Sequence, residues 1–468
     1  MTQGEFTSYY LLSLKVDKSA SETHKTVHSY AIPDVPYAID ASVSTSGLNS
    51  LVKTVLKETT EADLKKIEFD FLVCGELLRL PLVEHLKCKG GSTESTIDVE
   101  YLERVPAPKP LDCLTHDDWV ASVSCKSNWI VTGCYDNSLH LWTTKGVHKL
   151  AIPGHTSPVK AVAWVSLDDT TGVFVSGSHD QCAMIWEWDI ATNSVECVVA
   201  CRGHDKSVEC VDIAPDASIF ATGSWDNNIK IWSAKLQDED ESSSKKAKTD
   251  QGKSRTSMST FSGHREAVSG VRWLGGPALL ASCSWDHTAR LWDTEMQAPT
   301  RTIAASKPFF SLDWSYNNGL IVTASADRVV RVFDHPDSPT VTTRGHSGWV
   351  SAAKWAPNHE HLFLSAGHDM LLKMWDIRSP NAALYELSGH TDKALCCDWS
   401  GRLLLSGGAD NTLRIYKAKS NDKHFDRRKF NLEITNLGHK STNHRQKTLS
   451  YLLKFRQKYL IIYNVCII

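Results

Sequence analysis

One aspartate recurs along this chain with a fixed set of companions, and that recurrence limits the fold more than any other feature. It stands at Asp136, Asp180, Asp226, Asp286, Asp327, Asp369 and Asp410, in steps of 44, 46, 60, 41, 42 and 41 residues. Six residues after each comes an aromatic: Trp142, Trp186, Trp232, Trp292, Phe333, Trp375 and Tyr416. Four residues before each comes a hydroxyl: Thr132, Ser176, Thr222, Ser282, Thr323, Ser365 and Ser406. Further upstream lie His116, His155, His204, His264, His346 and His390, all but His116 preceded by glycine. A period near 40–45 residues means one small supersecondary unit used repeatedly. A unit of that size cannot bury its own apolar face, so the copies must stack on one another.

Inside a unit the chain reads as strand. Between Asp226 and Trp232, Ile229 and Ile231 alternate with Lys230, the period-two pattern of a half-buried strand. A Gly-His opening and a Trp-Asp ending at this period resemble WD repeats, four strands to a propeller blade. The resemblance covers about residues 110–418 and implies a mainly β chain with a seven-bladed β-propeller. An open ring would leave strand edges exposed, an aggregation hazard. The last recognisable strand, ending at Tyr416, is only the third of its blade. The fourth is expected from "PLDCLT" at 110–115, clasping the two ends of the array.

In WD repeats the histidine, hydroxyl, aspartate and tryptophan of a blade form one buried hydrogen-bonded chain. The resemblance therefore implies His116, Thr132, Asp136 and Trp142 in blade one, and His155, Ser176, Asp180 and Trp186 in blade two. Blade three supplies His204, Thr222, Asp226 and Trp232, and blade four His264, Ser282, Asp286 and Trp292. Blade six supplies His346, Ser365, Asp369 and Trp375. Blade seven has Tyr416 in place of tryptophan, and blade five has Phe333 and no Gly-His. Ser, His and Asp are also the parts of a nucleophilic triad, but a nucleophile needs an oxyanion site beside it. Nothing in the repeats supplies one, and several copies on one ring would be odd for a catalyst. A buried aspartate needs such donors simply to offset its desolvation. The tetrads are read as internal bracing, and neither a catalytic residue nor an enzyme is expected.

The residue just before each aspartate sits on a strand-to-strand turn at the rim. Around the ring these are Tyr135, His179, Trp225, Trp285, Ala326, His368 and Ala409. Large aromatics at a rim anchor partners or pack on neighbouring loops. For Tyr135, Trp225 and Trp285 partner binding is the preferred reading.

Composition excludes some classes and leaves others open. A formal net charge of −3 over 468 residues does not by itself imply a nucleic-acid or membrane partner. No basic, apolar leader opens the chain, and no apolar run approaches the roughly 20 residues that span a bilayer. The 13 cysteines hold no Cys-x-x-Cys pair. They read as reduced, intracellular thiols, too scattered for a zinc site. No cofactor is expected.

Residues 1–105 contain no repeat and form a separate front domain, joined by a stiff "PAPKP" linker at 106–110. Leu48, Leu51, Val52, Val55 and Leu56 fall on one helical face, with Ser46 as the expected N-cap. "IEFDFLVCGELLRL" gives a strand at 67–73, a turn at Cys74–Gly75 and a second strand at 77–80. "PLVEHLK" reads as a short helical turn and residues 96–102 as a closing strand. That order is that of a ubiquitin-like β-grasp. The opening segment "FTSYYLLSLKV" alternates poorly, and residues 16–27 read as a polar insertion or an error of the gene model.

A ubiquitin-like domain ahead of seven WD repeats narrows the field. With "FDFLVCGELLRLPL", "HDDWV", "GSWDNNIKIW", "CSWDHTARLW" and "LLLSGGADN", the chain resembles the WD-repeat subunit family of the PeBoW complex. That resemblance implies a scaffold in large-ribosomal-subunit assembly, nuclear and nucleolar, with pescadillo and block-of-proliferation homologues as partners. It implies that the front domain docks on midasin, a giant AAA ATPase. There an acidic side chain in the loop before the last strand completes the partner's metal coordination, chemistry that suits a hard cation. The only acid in the loop "KGGSTEST" is Glu94, with Glu76 as the competing candidate. The metal would be the partner's.

Three features fall outside this frame. The long step between Asp226 and Asp286 marks an insert at 235–260, acidic then basic and without apolar period, read as a disordered loop. Its "KKAK" at 245–248 serves equally as a nuclear import signal or a solvated charge run. The tail at 419–468 departs from the family pattern and reads as translated non-coding sequence, or else as a basic, RNA-touching segment. "WDIR" at 375–378 resembles an adaptor-binding motif and makes a ubiquitin-ligase substrate receptor the rival function.

Overall fold

The computed structural model describes residues 9–16, 32, 36–40, 42–59, 67–89, 97–236, 253–334 and 339–418. The front domain opens with β1 (Tyr9–Val16), β2 (Pro36–Asp40) and α1 (Thr45–Thr59). It continues with β3 (Phe69–Val73), β4 (Glu76–Leu77), α2 (Leu82–Lys89) and β5 (Ile97–Glu103). The sheet order is β2-β1-β5-β3-β4, with β1 parallel to β5 and the other pairs antiparallel. This is a β-grasp, and the poorly alternating opening segment supplies an interior strand, between β2 and β5. On α1, Leu48, Val52 and Leu56 are fully buried against Phe69, Phe71, Val73 and Val99. Each such side chain contributes about 1.5–3 kcal/mol by leaving water. Leu51 and Val55 flank that stripe and stay half-buried.

Several local details differ from the sequence reading. The cap of α1 is Ser44, whose carbonyl accepts the Leu48 N–H at 3.0 Å, while Ser46 lies inside the first turn. The Cys74–Gly75 turn is left-handed at both residues, φ 53° and 76°, the type I′ geometry that matches strand twist. The expected strand at 77–80 is reduced to Glu76–Leu77: one further rung, the Leu78 N–H to the Phe71 carbonyl at 2.7 Å, follows before Pro81 leads into α2. The "PLVEHLK" turn is an eight-residue helix.

Seven four-stranded units follow. Blade one comprises Val120–Lys126, Trp129–Cys134, Leu139–Thr143 and His148–Ile152. In blade seven the fourth strand is β6 (Lys109–Thr115), paired antiparallel with Thr412–Lys417. The expected clasp is therefore present. It begins inside "PAPKP", where Pro110 is tolerated because β6 is an edge strand. Each innermost strand lies against that of the next blade, and the seventh against the first, which closes the ring. At the closing seam the Asp398 carboxylate accepts the Cys125 N–H at 2.8 Å. Asp212 and Asp313 make the same bond to the Trp273 and Trp355 N–H groups, at 2.9 and 2.8 Å.

The insert is smaller than expected. Lys253–Arg255 forms a strand parallel to Ser194–Arg202, a fifth strand on blade two, and Ser259–Ser262 is the fourth strand of blade three. The Arg255 guanidinium donates to the Ser233 and Lys235 carbonyls at 2.9 and 2.8 Å, which ties the returning chain to the blade it left. Residues 237–252, with "KKAK", and the tail at 419–468 lie outside the described residues. No described helix is long and apolar enough to cross a membrane.

Candidate functional site: tetrads and aromatic rim

The recurring aspartate has a duty that all seven blades share. The residue after it is left-handed in every blade: Asn137, Gln181, Asn227, His287, Arg328, Met370 and Asn411, with φ from 61° to 71°. Asn and His visit that conformation readily, but Gln181, Arg328 and Met370 disfavour it. The aspartate holds it by accepting the N–H two residues on, as from Asn228 to Asp226 and from Thr288 to Asp286, both at 2.9 Å. This is an Asx turn. It requires aspartate whether or not a tetrad is completed behind it.

In blades two, three, four and six the chain is complete. His155, His204, His264 and His346 place Nδ1 at 2.7–2.9 Å from the carboxylates of Asp180, Asp226, Asp286 and Asp369. Their Nε2 atoms lie 2.7 Å from the hydroxyls of Ser176, Thr222, Ser282 and Ser365. Those hydroxyls accept from the indoles of Trp186, Trp232, Trp292 and Trp375 at 2.8 Å. One proton arrangement satisfies everything: indole N–H to hydroxyl, hydroxyl to Nε2, and Nδ1–H to carboxylate. Burial works against the ionised Asp226, but His204 and two backbone N–H groups outweigh it and hold the carboxyl below its usual range. The four hydroxyls are fully buried. This is bracing, each blade's turn tied to its core. Blade seven keeps His390, Asp410 and Ser406, while the Tyr416 hydroxyl donates instead to the Ser388 carbonyl at 3.3 Å.

Blade one has all four residues and does not form the chain. His116 Nε2 meets Thr132 at 2.9 Å, but His116 Nδ1 and Trp142 Nε1 have no partner of hydrogen-bonding geometry. Asp136 is engaged by His140 Nε2 at 3.1 Å and by the Ser138 hydroxyl at 2.6 Å. Blade five, without its histidine, does likewise: Arg331 donates to Asp327. Both substitutes stand four residues after the aspartate. Blade one has Thr115 in the place of the glycine that precedes the other tetrad histidines. A β-carbon at Gly154 would lie 2.4 Å from the Trp186 ring and at Gly345 2.9 Å from Trp375, whereas at Gly203 it would make ordinary contact with Trp232 at 3.6 Å. In blades two and six the indole could not keep its seat beside a threonine.

The rim residues form an arc. Trp225 and Trp285 lie 5.6 Å apart between ring centres, and the series runs on through Phe310 and Trp349 to His368 at 5.3, 5.6 and 5.5 Å. On the other side Trp119, Tyr135 and His179 follow at 5.3 and 6.0 Å. Glu209 joins the halves: it accepts the Trp225 N–H at 2.9 Å and pairs with Lys160 at 3.2 Å. Lys160 in turn sits over the Tyr135 ring and donates to its hydroxyl. Trp119, Trp225 and Trp349 are each more than two-fifths exposed. Trp119, Phe310 and Trp349 were not singled out from the sequence. Trp119 and Trp349 stand three residues after a tetrad histidine, on the loop into the innermost strand. That loop's carbonyls accept the rim N–H groups, Tyr135 to Trp119 at 3.0 Å and His368 to Trp349 at 2.7 Å.

Comparison with known proteins follows this geometry. The NLE (NUC135) domain profile matches residues 22–86. The profile of the WD domain, G-beta repeat, matches seven times, at 108–143, 146–187, 195–233, 255–293, 297–334, 337–376 and 381–417. The first match contains β6 together with three strands of blade one, the offset that makes a clasp necessary. The chain is 50% identical over 399 residues to the ribosome biogenesis protein WDR12 homolog of Culex quinquefasciatus, 83% of this chain and 93% of that one. To the homolog of Anopheles gambiae it is 48% identical over 414 residues, 86% and 96% of the two chains. The chain belongs to the WDR12 family of ribosome biogenesis proteins.

Two further positions matter in a WDR12 homologue. Glu94 lies outside the described residues. Its competitor Glu76 begins β4, next to Leu77, whose N–H donates to the Arg378 carbonyl of blade six at 2.8 Å. Glu76 is thus at the junction with the propeller. Arg378 closes "WDIR", and its guanidinium is clamped on Asp376 by two bonds, 3.0 and 2.8 Å. The junction is completed by the Tyr385 hydroxyl, which donates to the Val105 carbonyl at 2.6 Å.

Proposed function

We propose that this WDR12-family chain is a non-catalytic scaffold of large-ribosomal-subunit precursors in the nucleolus and nucleoplasm. The propeller holds pescadillo and block-of-proliferation homologues on its aromatic arc. The front domain docks on the midasin AAA ATPase, with Glu94 completing that partner's metal site. The ATPase then pulls the complex off the maturing particle. The observation that carries this reading is the arc itself: two runs of large, partly exposed aromatics, Trp119 to His179 and Trp225 to His368, joined through Glu209. Surfaces of that kind concentrate binding energy in a few anchors. The ligase-receptor reading is the weaker one, because Arg378 is committed to Asp376 and to the front domain.

The test separates the two surfaces. Trp225→Ala with Trp285→Ala should lower co-purification of the two PeBoW partners at least about tenfold, an effect of two interface anchors. Glu94→Ala should leave those partners bound, weaken midasin binding, and trap the chain on large-subunit precursors in sucrose gradients. The proposal fails if Glu94→Ala abolishes PeBoW binding or leaves midasin binding unchanged.

A further inference from the structure

Blade one gathers a set of side chains found in no other blade among the described residues. Its turn brings in Cys134, fully buried, whose thiol donates to the Asp118 carbonyl at 3.3 Å. One ligand atom from each of Cys134, Asp136 and His140 lies within 4.8 Å of the other two. The residues at Cys134's place in the other blades are Ser178, Ser224, Ser284, Ser325, Gly367 and Gly408. At His140's place stand Met184, Lys230, Arg290, Arg331, Lys373 and Arg414. The repeat therefore does not explain the set. Bracing accounts for His140 on Asp136, as for Arg331 on Asp327, but not for the buried thiol of Cys134 beside them.

The outer contacts of such a site are also in place. A metal-bound imidazole is normally held through its other nitrogen. His140 Nδ1 faces His148 Nε2 at 3.2 Å, and the His148 ring rests on Trp142 with 4.4 Å between centres. His116 meets the His140 ring edge-on at 4.9 Å, which fixes its plane from a second side. The Ser138 hydroxyl holds Asp136 Oδ1 and leaves Oδ2 directed at His140.

We propose that blade one binds a divalent transition-metal ion of the zinc class through Cys134 Sγ, Asp136 Oδ2 and His140 Nε2, with water in the fourth position. One thiolate, one imidazole and one carboxylate suit zinc, and not magnesium or calcium. As the ion binds, the Cys134 thiol loses its proton to solvent and its bond to the Asp118 carbonyl. The His140 proton resides on Nδ1, donated to His148. Because the ion displaces the thiol proton, affinity rises with pH.

Cobalt(II) is the probe, because a thiolate–cobalt bond absorbs in the near ultraviolet and a tetrahedral site in the visible. One equivalent added to the full-length chain should produce both bands, and zinc should remove them. Cys134→Ser should abolish the near-ultraviolet band. His148→Asn, at an exposed position, should keep the band and weaken binding about 10–100-fold, the size of an outer-partner effect. The proposal is overturned if one equivalent of cobalt gives no thiolate band. It is equally overturned if the band survives Cys134→Ser, which would put cobalt on another of the 13 cysteines. Unchanged affinity in His148→Asn also counts against it, and that readout does not depend on the serine variant folding.

Discussion

Blades one and two carry a histidine, a hydroxyl residue, an aspartate and a tryptophan in the same order, and only blade two builds the chain. In blade two the indole of Trp186 reaches Ser176 and its ring centre sits 6.2 Å from that of His155. In blade one the Trp142 ring has closed to 5.0 Å from His116 and its N–H reaches nothing. Two positions outside the tetrad separate the blades: Thr115 stands where blade two has Gly154, and His140 where it has Met184. Gly154 leaves room for the Trp186 indole, and in blade one His140 takes the aspartate instead.

The largest test moves blade one's residue into blade two. Gly154→Thr places a β-carbon 2.4 Å from the Trp186 ring and branches it. Overpacking of this kind costs about 3 kcal/mol. Urea unfolding should show the midpoint falling at constant slope. A change below about 0.5 kcal/mol, the range of an ordinary surface substitution, would break the claim that Gly154 makes the room that the Trp186 indole needs in blade two.

The comparison predicts a pH effect of intermediate size. Burial first, then His140, push the His116 imidazole down to about 4 against the opposing pull of the Leu114 backbone and Asp136, with His148 adding least. The unfolded imidazole titrates near 6.5. Between those values the unfolded chain binds the proton and the folded blade does not, so stability rises with pH. His116 therefore contributes stability above pH 6.5 that is lost as pH falls towards 4, on the order of 2 kcal/mol at pH 5. His116→Asn should flatten that part of the profile. Parallel profiles for the two proteins would show that the unpaired imidazole is not the titrating group.

The ring was legible because its signal is periodic. Seven aspartates in register survive the loss of any one companion, as Phe333 in blade five and Tyr416 in blade seven show. The helix face of Leu48, Val52 and Leu56 was legible for the same reason. The opening strand was hidden because its residues show no period of two; only its pairing, with β2 on one side and β5 on the other, reveals it. The failure of blade one was hidden by a different cause: the rule that reads four residues is silent on the space around them. His140 carried the only local clue, an imidazole where other blades place Met, Lys or Arg. The rim was half legible. Tyr135, Trp225 and Trp285 precede the aspartate, whereas Trp119 and Trp349 belong to the facing loop and join them only through backbone pairing. Cys134 gave no signal, since its partners lie two and six residues ahead in a spacing that no zinc motif uses.

The finest comparison is one substitution made in two blades. Thr→Val keeps shape and removes the hydroxyl. In blade three, Thr222 serves two buried groups, His204 Nε2 at 2.7 Å and Trp232 Nε1 at 2.8 Å. In blade one, Thr132 serves His116 alone, because Trp142 is already unpartnered. Each buried group newly left without a partner costs about 1–3 kcal/mol. Thr222→Val should therefore destabilise more than Thr132→Val, by about 1 kcal/mol. The two residues are equally buried, so loss of packing does not separate them. Equal losses would mean that Trp142 does hydrogen-bond in solution, and the contrast between blade one and its neighbours would close. A larger loss at Thr132 would reverse it, making the blade with the broken chain the one that depends most on its hydroxyl.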